Sequence, residues 1–450
     1  MARSRSGRST ERSASPGRDR PSVDVYLQPA VVGGGLGDIE ETLAAGRWLA
    51  RAGFPIQLYR TGGRALPTSV DGPWEWPPIR RTRRLVPHHR TALTVTPAWG
   101  VSAAPPQRGA YGRSGAWAEE SREIESAYGI DHVVHLSLEE FARTLSTRDE
   151  NRERLREGGV PSRRISERLR AADRSGEVET FRSAFRRFRA FDRPNVLHLF
   201  ATFRRDPVFA REFPAAVQTG PLWPGRYPSA PGGTRPARGA EWVWYASPAS
   251  AEQIAPSVVA GVRSIHPGGH LLIVTPRPWK VRLPSNQVEL RSEPMATTYW
   301  ATHFARAGVR IVTGSRTLLE AMELGGPFLY FNGVLGRGSS RRRHRPEKIA
   351  ALLDLAARTG IPADVRRDWS DFARGRRVQE VVERVAERRG GWSGFPHRWT
   401  IDSFPPPFDD AGDLIVRVAH ALGHPGSSAA DLVRRVRAGE LPPPRGAPAR

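Results

Sequence analysis

Two glycine-bearing turns, each between a strand-like and a helix-like run, hold the side chains best suited to chemistry. The first is Gly33-Gly34-Gly35-Leu36-Gly37, followed at once by Asp38. Glycines there permit positive φ and a close approach of ligand to backbone, and the next helix offers its first N–H groups to an anion. Asp38 has two readings: a carboxylate that accepts a proton from a hydroxyl, or a helix cap contributing about 1 kcal/mol. The second turn runs Thr313-Gly314-Ser315-Arg316-Thr317-Leu318-Leu319-Glu320. Gly314, Ser315, Arg316 and Thr317 are candidates for binding a phosphate at a helix start. Glu320 offers two oxygens to the paired hydroxyls of a ribose. Thr317 and Glu320 also have the spacing of a capping box, which would make both structural.

A third cluster lies downstream. Residues 332–348 form a glycine-rich loop loaded with arginines, Arg343 and His344 among them, that ends at a helix start. Guanidinium forks bind phosphate bidentately, so the loop suits a diphosphate; a solvated basic loop is the plain alternative. Neither turn has the dinucleotide spacing G-x-G-x-x-G, and Tyr59-Arg60 stand where an acidic ribose ligand would end the second strand. His88–His89 and His132/His135 make no metal-ligand set, so no metal site is expected. No nucleophile elbow and no phosphate P-loop occur in the chain.

The elements that must position these turns follow from periodicity. Val23–Leu27 reads as a strand, and Ile39, Leu43, Gly46 and Leu49–Ala50 mark one face of a helix that Gly53 stops. Phe54–Tyr59 is the next strand, giving a β-loop-α-β unit of a parallel sheet. Strands are expected at Thr91–Thr96, His132–Leu136 and Val196–Phe200, with a helix near Trp117–Tyr128 and polar helical sequence from Leu138 to Ala190. A second series follows: strands at Glu241–Tyr245, His270–Thr275, Val288–Arg291, Val309–Thr313 and Pro327–Phe331. Helices are expected at Ala249–Ile265, Thr298–Ala307, Ser315–Leu324, Pro346–Arg358 and Val378–Arg388. The fold class is therefore α/β, with two Rossmann-like domains in tandem. The expected divisions are a disordered basic tail over 1–21, a first domain over 22–224, a linker over 225–240 and a second domain over 241–390. Residues 391–450 are read as an extension with one helix and a Pro/Arg-rich tail.

Composition narrows the function classes. The 450 residues carry 69 basic and 46 acidic groups, a formal charge of +23, and Lys280 and Lys348 are the two lysines. Arginine so dominant over lysine, with 44 glycines and 40 prolines, fits a GC-rich codon bias as well as it fits an anionic partner. Nucleic acid is the weaker expectation, since no compact aromatic array interleaves the basic residues. With no cysteine in the chain, disulfides and thiolate chemistry are excluded. Apolar runs such as Leu271–Val274 fall far short of the roughly 20 residues that span a bilayer. No apolar segment follows the basic N-terminus, so a cytoplasmic protein is expected. Exposed arginines also suit peripheral contact with an anionic membrane surface.

Three segments resemble the two-domain nucleotide-sugar glycosyltransferases of the GT-B fold, and within them the family-28 group that includes the peptidoglycan N-acetylglucosaminyltransferases. Gly33–Asp38 with its helix is similar to their N-terminal glycine loop. Pro284-Ser-Asn-Gln-Val288 with Arg310–Met322 is similar to their donor-binding segment, and Gly325–Tyr330 to the strand after it. The likeness covers about residues 23–60 and 241–360. It implies a donor site in the second domain, an acceptor site in the first, and a cleft between them. It also implies that Glu320 holds the nucleotide ribose while Gly314, Ser315 and Thr317 face the diphosphate. Transfer of a hexose or N-acetylhexosamine from a nucleotide diphosphate sugar is implied, without a bound metal or other cofactor, to an acceptor that can be lipid-linked. Two departures stand out: Asp38 occupies the place of the family's histidine, and Arg341–Lys348 replaces its Gln/Asn-containing segment. A nucleotide-sugar epimerase or hydrolase of the same fold, and a non-enzymatic binder of nucleic acid or anionic lipid, are the alternative functions.

Overall fold

Apolar side chains recur at both faces of the short strands, as strands covered on two sides require. Thus Trp242, Val243 and Trp244 are consecutive and all buried, as are Leu271–Val274, and Val309, Ile311 and Val312 are buried on either side of Arg310. The computed structural model describes residues 22–27, 37–61, 80–82, 91–97, 134–139, 161, 164, 167, 194–201, 216–225, 241–246, 251–275, 279–284, 288–292, 297–331, 346–387, 410–424 and 426–441. The tail 1–21, Gly33–Gly35, the helix expected near 117–128, nearly all of the polar stretch 138–190, the linker from 226, and Arg343 and His344 lie outside them.

The first sheet holds β1 (Ser22–Leu27), β2 (Ile56–Thr61), β3 (Arg80–Thr82), β4 (Thr91–Pro97), β5 (Val134–Glu139), β6 (Val196–Ala201) and β7 (Ala216–Thr219). All pairs are parallel, in the order β3-β2-β1-β4-β5-β6-β7. β2 begins at Ile56, not at Phe54 as expected, because the Phe54 N–H still bonds to Leu49 O at the end of the preceding helix. β3 (Arg-Arg-Thr) has no apolar residue to announce it.

The second sheet holds β8 (Glu241–Tyr245), β9 (His270–Thr275), β10 (Val288–Ser292), β11 (Val309–Val312) and β12 (Phe328–Tyr330), again all parallel, in the order β10-β9-β8-β11-β12. In each sheet the strand order reverses once, between β1 and β4 and between β8 and β11. Such reversals open a crevice beyond the carboxyl ends of the strands. The two parallel, doubly wound sheets agree with the α/β class of Rossmann-like units expected from the sequence.

The helices among the described residues are α1 (Gly37–Arg51), α2 (Ala251–Ile265), α3 (Thr297–Arg306), α4 (Ser315–Leu324), α5 (Pro346–Arg358), α6 (Ala363–Ala373), α7 (Val378–Glu387), α8 (Ala411–Leu422) and α9 (Ala429–Arg437). α6 escaped the sequence reading because Arg and Asp crowd it; its apolar face is Val365, Trp369 and Phe372. Trp369 is fully buried, and its indole N–H bonds to Phe328 O at 2.9 Å. No helix among the described residues is long and apolar enough to cross a membrane.

The segment set apart as an extension over 391–450 carries two helices, not one, and both return to the first sheet. α8 packs on α1 and β4, while α9 packs on β5, β6 and β7. Their apolar stripes (Leu414, Ile415, Val418, Leu432, Val433 and Val436) share one core with Val23, Val25, Leu43, Leu93 and Leu197. Both are capped: Asp410 accepts from the N–H of Gly412 and of Asp413 at 2.8 and 3.1 Å, and Ser428 accepts from the Asp431 N–H at 3.2 Å. An amphipathic stripe predicts burial without naming the surface that buries it, so the destination of these helices was invisible in the sequence.

Candidate functional site at the second strand-order reversal

The β8/β11 reversal is closed by a side chain. Thr313, the residue after β11, donates its hydroxyl hydrogen bond to Tyr245 O at the end of β8. Gly314 follows at φ 85°, ψ 167°, a conformation that a residue with a Cβ adopts only under strain. α4 starts at the next residue, and its N-cap, Gly314, has no side chain with which to cap it. The Thr317 hydroxyl reaches back to the backbone just before the helix, donating to Thr313 O at 2.8 Å. The N–H groups of the first turn, with the positive end of the helix dipole behind them, point at the crevice where a ligand enters such sheets. An anion is the ligand this arrangement suits.

The capping-box reading of Thr317 and Glu320 does not survive. Gly314 holds the N-cap position, so Thr317 lies within the first turn and Glu320 in the second. Glu320 is 2% exposed and accepts a hydrogen bond from the Trp300 indole N–H at 3.2 Å. Trp300 in turn stacks on Phe304, with ring centroids 4.6 Å apart, and meets Tyr245 edge-on at 5.8 Å. The carboxylate is thereby oriented by an aromatic group seated at the end of β8.

Arg316 goes elsewhere. It is 5% exposed, and its Nη1 donates to Leu222 O at 2.9 Å, on the segment that leaves the first sheet after β7. α1 packs directly on α4 at this junction. Arg47, fully buried, donates to Glu40 Oε2 and to Pro224 O, each at 2.9 Å. Trp48 donates to Trp223 O at 3.1 Å and packs against the cores of both domains. Arg51 donates to Gly225 O. None of Arg47, Trp48 or Arg51 stood out in the sequence. The one local hint was the i, i+4 spacing of Arg47 and Arg51, which an exposed helix face produces equally well.

In the first domain, α1 starts at Gly37, so Asp38 falls inside the first turn and does not hold the cap position. It opens the helix that packs on β1 and β4, but its side chain is outside those described, as are Gly33, Gly34 and Gly35. The side chain of Ser315 is likewise outside them. Among the described residues no three His, Asp or Glu side chains cluster closely enough to hold a metal ion.

No protein-family model matches the sequence, and no curated protein matches it. Solved structures resemble the chain at low similarity. The glycotransferase of kitacinnamycin is 14% identical, with 82% of this chain and 99% of that one covered and a TM-score of 0.38. An Arabidopsis thaliana protein, UGT89C1, in complex with quercetin is 9% identical, with 94% and 100% covered and a TM-score of 0.41. The calicheamicin glycosyltransferase CalG4 is 12% identical, with 83% and 94% covered and a TM-score of 0.35. The two parallel, doubly wound sheets define an α/β fold of Rossmann-like units.

Proposed function

We propose that the chain is a nucleotide-sugar glycosyltransferase that moves a hexose or N-acetylhexosamine from a nucleotide diphosphate donor to an acceptor hydroxyl. The observation that carries the reading is the uncapped start of α4 behind Gly314, at a strand-order reversal pinned by Thr313 and Tyr245. The diphosphate sits against the N–H groups of that first turn. Glu320, oriented by Trp300, takes the ribose hydroxyls. The resemblance of residues 241–360 to donor-binding segments supports the same assignment.

In the transfer step the acceptor oxygen bonds to the anomeric carbon, and the bond from that carbon to the diphosphate oxygen breaks. The nucleotide diphosphate departs with the electron pair, stabilised by the helix dipole and its N–H groups without a metal ion. The acceptor proton passes to the Asp38 carboxylate. The acceptor is bound by the first domain, and a lipid-linked one is in keeping with the basic character of the chain.

The test begins with thermal shift against nucleoside diphosphates and their sugars, because a ligand bound only by the native state raises the midpoint. Glu320→Ala is expected to weaken nucleotide diphosphate binding about 150-fold, the worth of two hydrogen bonds to a charged group at about 1.5 kcal/mol each. Unchanged affinity removes Glu320 from the site. Asp38→Asn is expected to keep donor affinity and to lower turnover about 100-fold, the scale of general-base catalysis. Full turnover in that variant reduces Asp38 to a structural residue. Sugar released or isomerised with no acceptor present would mark a hydrolase or epimerase.

A further inference from the structure

Residues 221–225 form a buried crosspiece without regular secondary structure between the two domains. Backbone that is buried outside helices and sheets must find its hydrogen bonds elsewhere. Here four successive carbonyls each accept from a side chain. Leu222 O takes Arg316 from α4, and Trp223 O, Pro224 O and Gly225 O take Trp48, Arg47 and Arg51 from α1. The Gly225 N–H completes the set by donating to Glu323 Oε1 of α4 at 3.1 Å. α4 is therefore gripped at both ends, by Arg316 in its first turn and Glu323 near its last, while α1 is gripped along its C-terminal half. These two helices start at the strand-order reversals of the two sheets.

We infer that Arg316 and Glu323 are positioning residues: through the 222–225 crosspiece they set where the start of α4 stands relative to α1, and so the alignment of donor and acceptor. The inference rests on the glycosyltransferase reading for its catalytic consequence, and on these hydrogen bonds alone for the mechanical coupling. It also reassigns Arg316. Its sequence neighbourhood points to the phosphate, whereas its Nη1 donates to the crosspiece at Leu222 O.

The experiment compares Arg316→Met, Arg316→Lys and Glu323→Ala with the parent by amide hydrogen exchange, nucleotide diphosphate affinity and turnover at saturating substrates. Removing a charged acceptor is expected to speed exchange of the Gly225 amide about 30-fold in Glu323→Ala. Exchange in α1 should rise in both Arg316→Met and Glu323→Ala, although neither substitution lies in that helix. Nucleotide affinity should stay within about 3-fold while kcat falls about 100-fold, the scale of a misplacement remote from the chemistry. Arg316→Lys, which keeps one donor, should recover part of kcat. A loss of nucleotide affinity matching the loss of kcat in Arg316→Met would make Arg316 a donor ligand and overturn the assignment. Unchanged exchange in α1 in both variants would overturn the coupling. If the parent binds no nucleotide, the functional reading fails by itself, and the exchange data still decide whether the crosspiece ties α4 to α1.

Discussion

Arg310→Met is expected to destabilise the protein by about 4 kcal/mol, read as a lowered midpoint in denaturant unfolding. Arg310 lies within β11 and is 2% exposed. Its Nε donates to Phe304 O at 2.7 Å, Nη2 to Ala305 O at 3.1 Å and Nη1 to Gly325 O at 2.8 Å. The first two carbonyls belong to the last turn of α3, and the third to the C-cap of α4. One guanidinium thus satisfies orphan carbonyls at two helix ends and neutralises the negative ends of two helix dipoles. It also lies 5.5 Å from the centre of the Phe304 ring. Methionine fills much of the volume and leaves three carbonyls without that donor, each costing about 1–3 kcal/mol where water cannot reach. Arg310→Lys should restore only a fraction, since an ammonium cannot reproduce the fork. A loss below about 1 kcal/mol in Arg310→Met would mean that water or backbone shifts replace the guanidinium.

The second large effect is steric. A Cβ on Gly412 would stand 2.3 Å from two ring atoms of Trp48 and 2.6 Å from its Nε1. The ring has little room to withdraw, because its N–H is bonded to Trp223 O and its faces pack into both cores. α8 must therefore move away from α1, and Gly412→Ala should cost about 3 kcal/mol, at the upper end for overpacking. Thermal unfolding measures the loss. Combining it with Trp48→Leu should be less damaging than the sum of the single changes, the coupling expected of residues in contact. Strict additivity would show that the two residues do not meet.

Both sites explain what the sequence could and could not convey. β11, the Gly314 turn and α4 were legible almost to the residue. A buried parallel strand is a short apolar run, a turn needing φ 85° calls for glycine, and α4 then shows its own period. β1 and α1 were legible for the same reasons. Arg47, Arg310 and Arg316 were not, because arginine is ordinarily a surface residue and 67 of the 69 basic groups here are arginine. Which of them are buried depends on carbonyls distant in sequence: 177 residues separate Arg47 from Pro224, and 94 separate Arg316 from Leu222. Periodicity within a segment carries no record of such partners. α6 and β3 were missed for a local reason, namely that charged side chains diluted or replaced the apolar signal.

The return of α8 and α9 to the first sheet has a consequence for biosynthesis. Among the described residues, the strands of the second sheet and the helices packed on it lie between residues 241 and 387, so that domain can finish its core while the chain is still being made. The domain translated first cannot. Its face against β4–β7 waits for Ala411–Arg437, which emerge more than 200 residues after β6. Domains generally fold in order of synthesis; in this chain the N-terminal one is completed last. Until then it exposes the apolar surface that α8 and α9 will cover, the interval in which a chaperone would have most to hold.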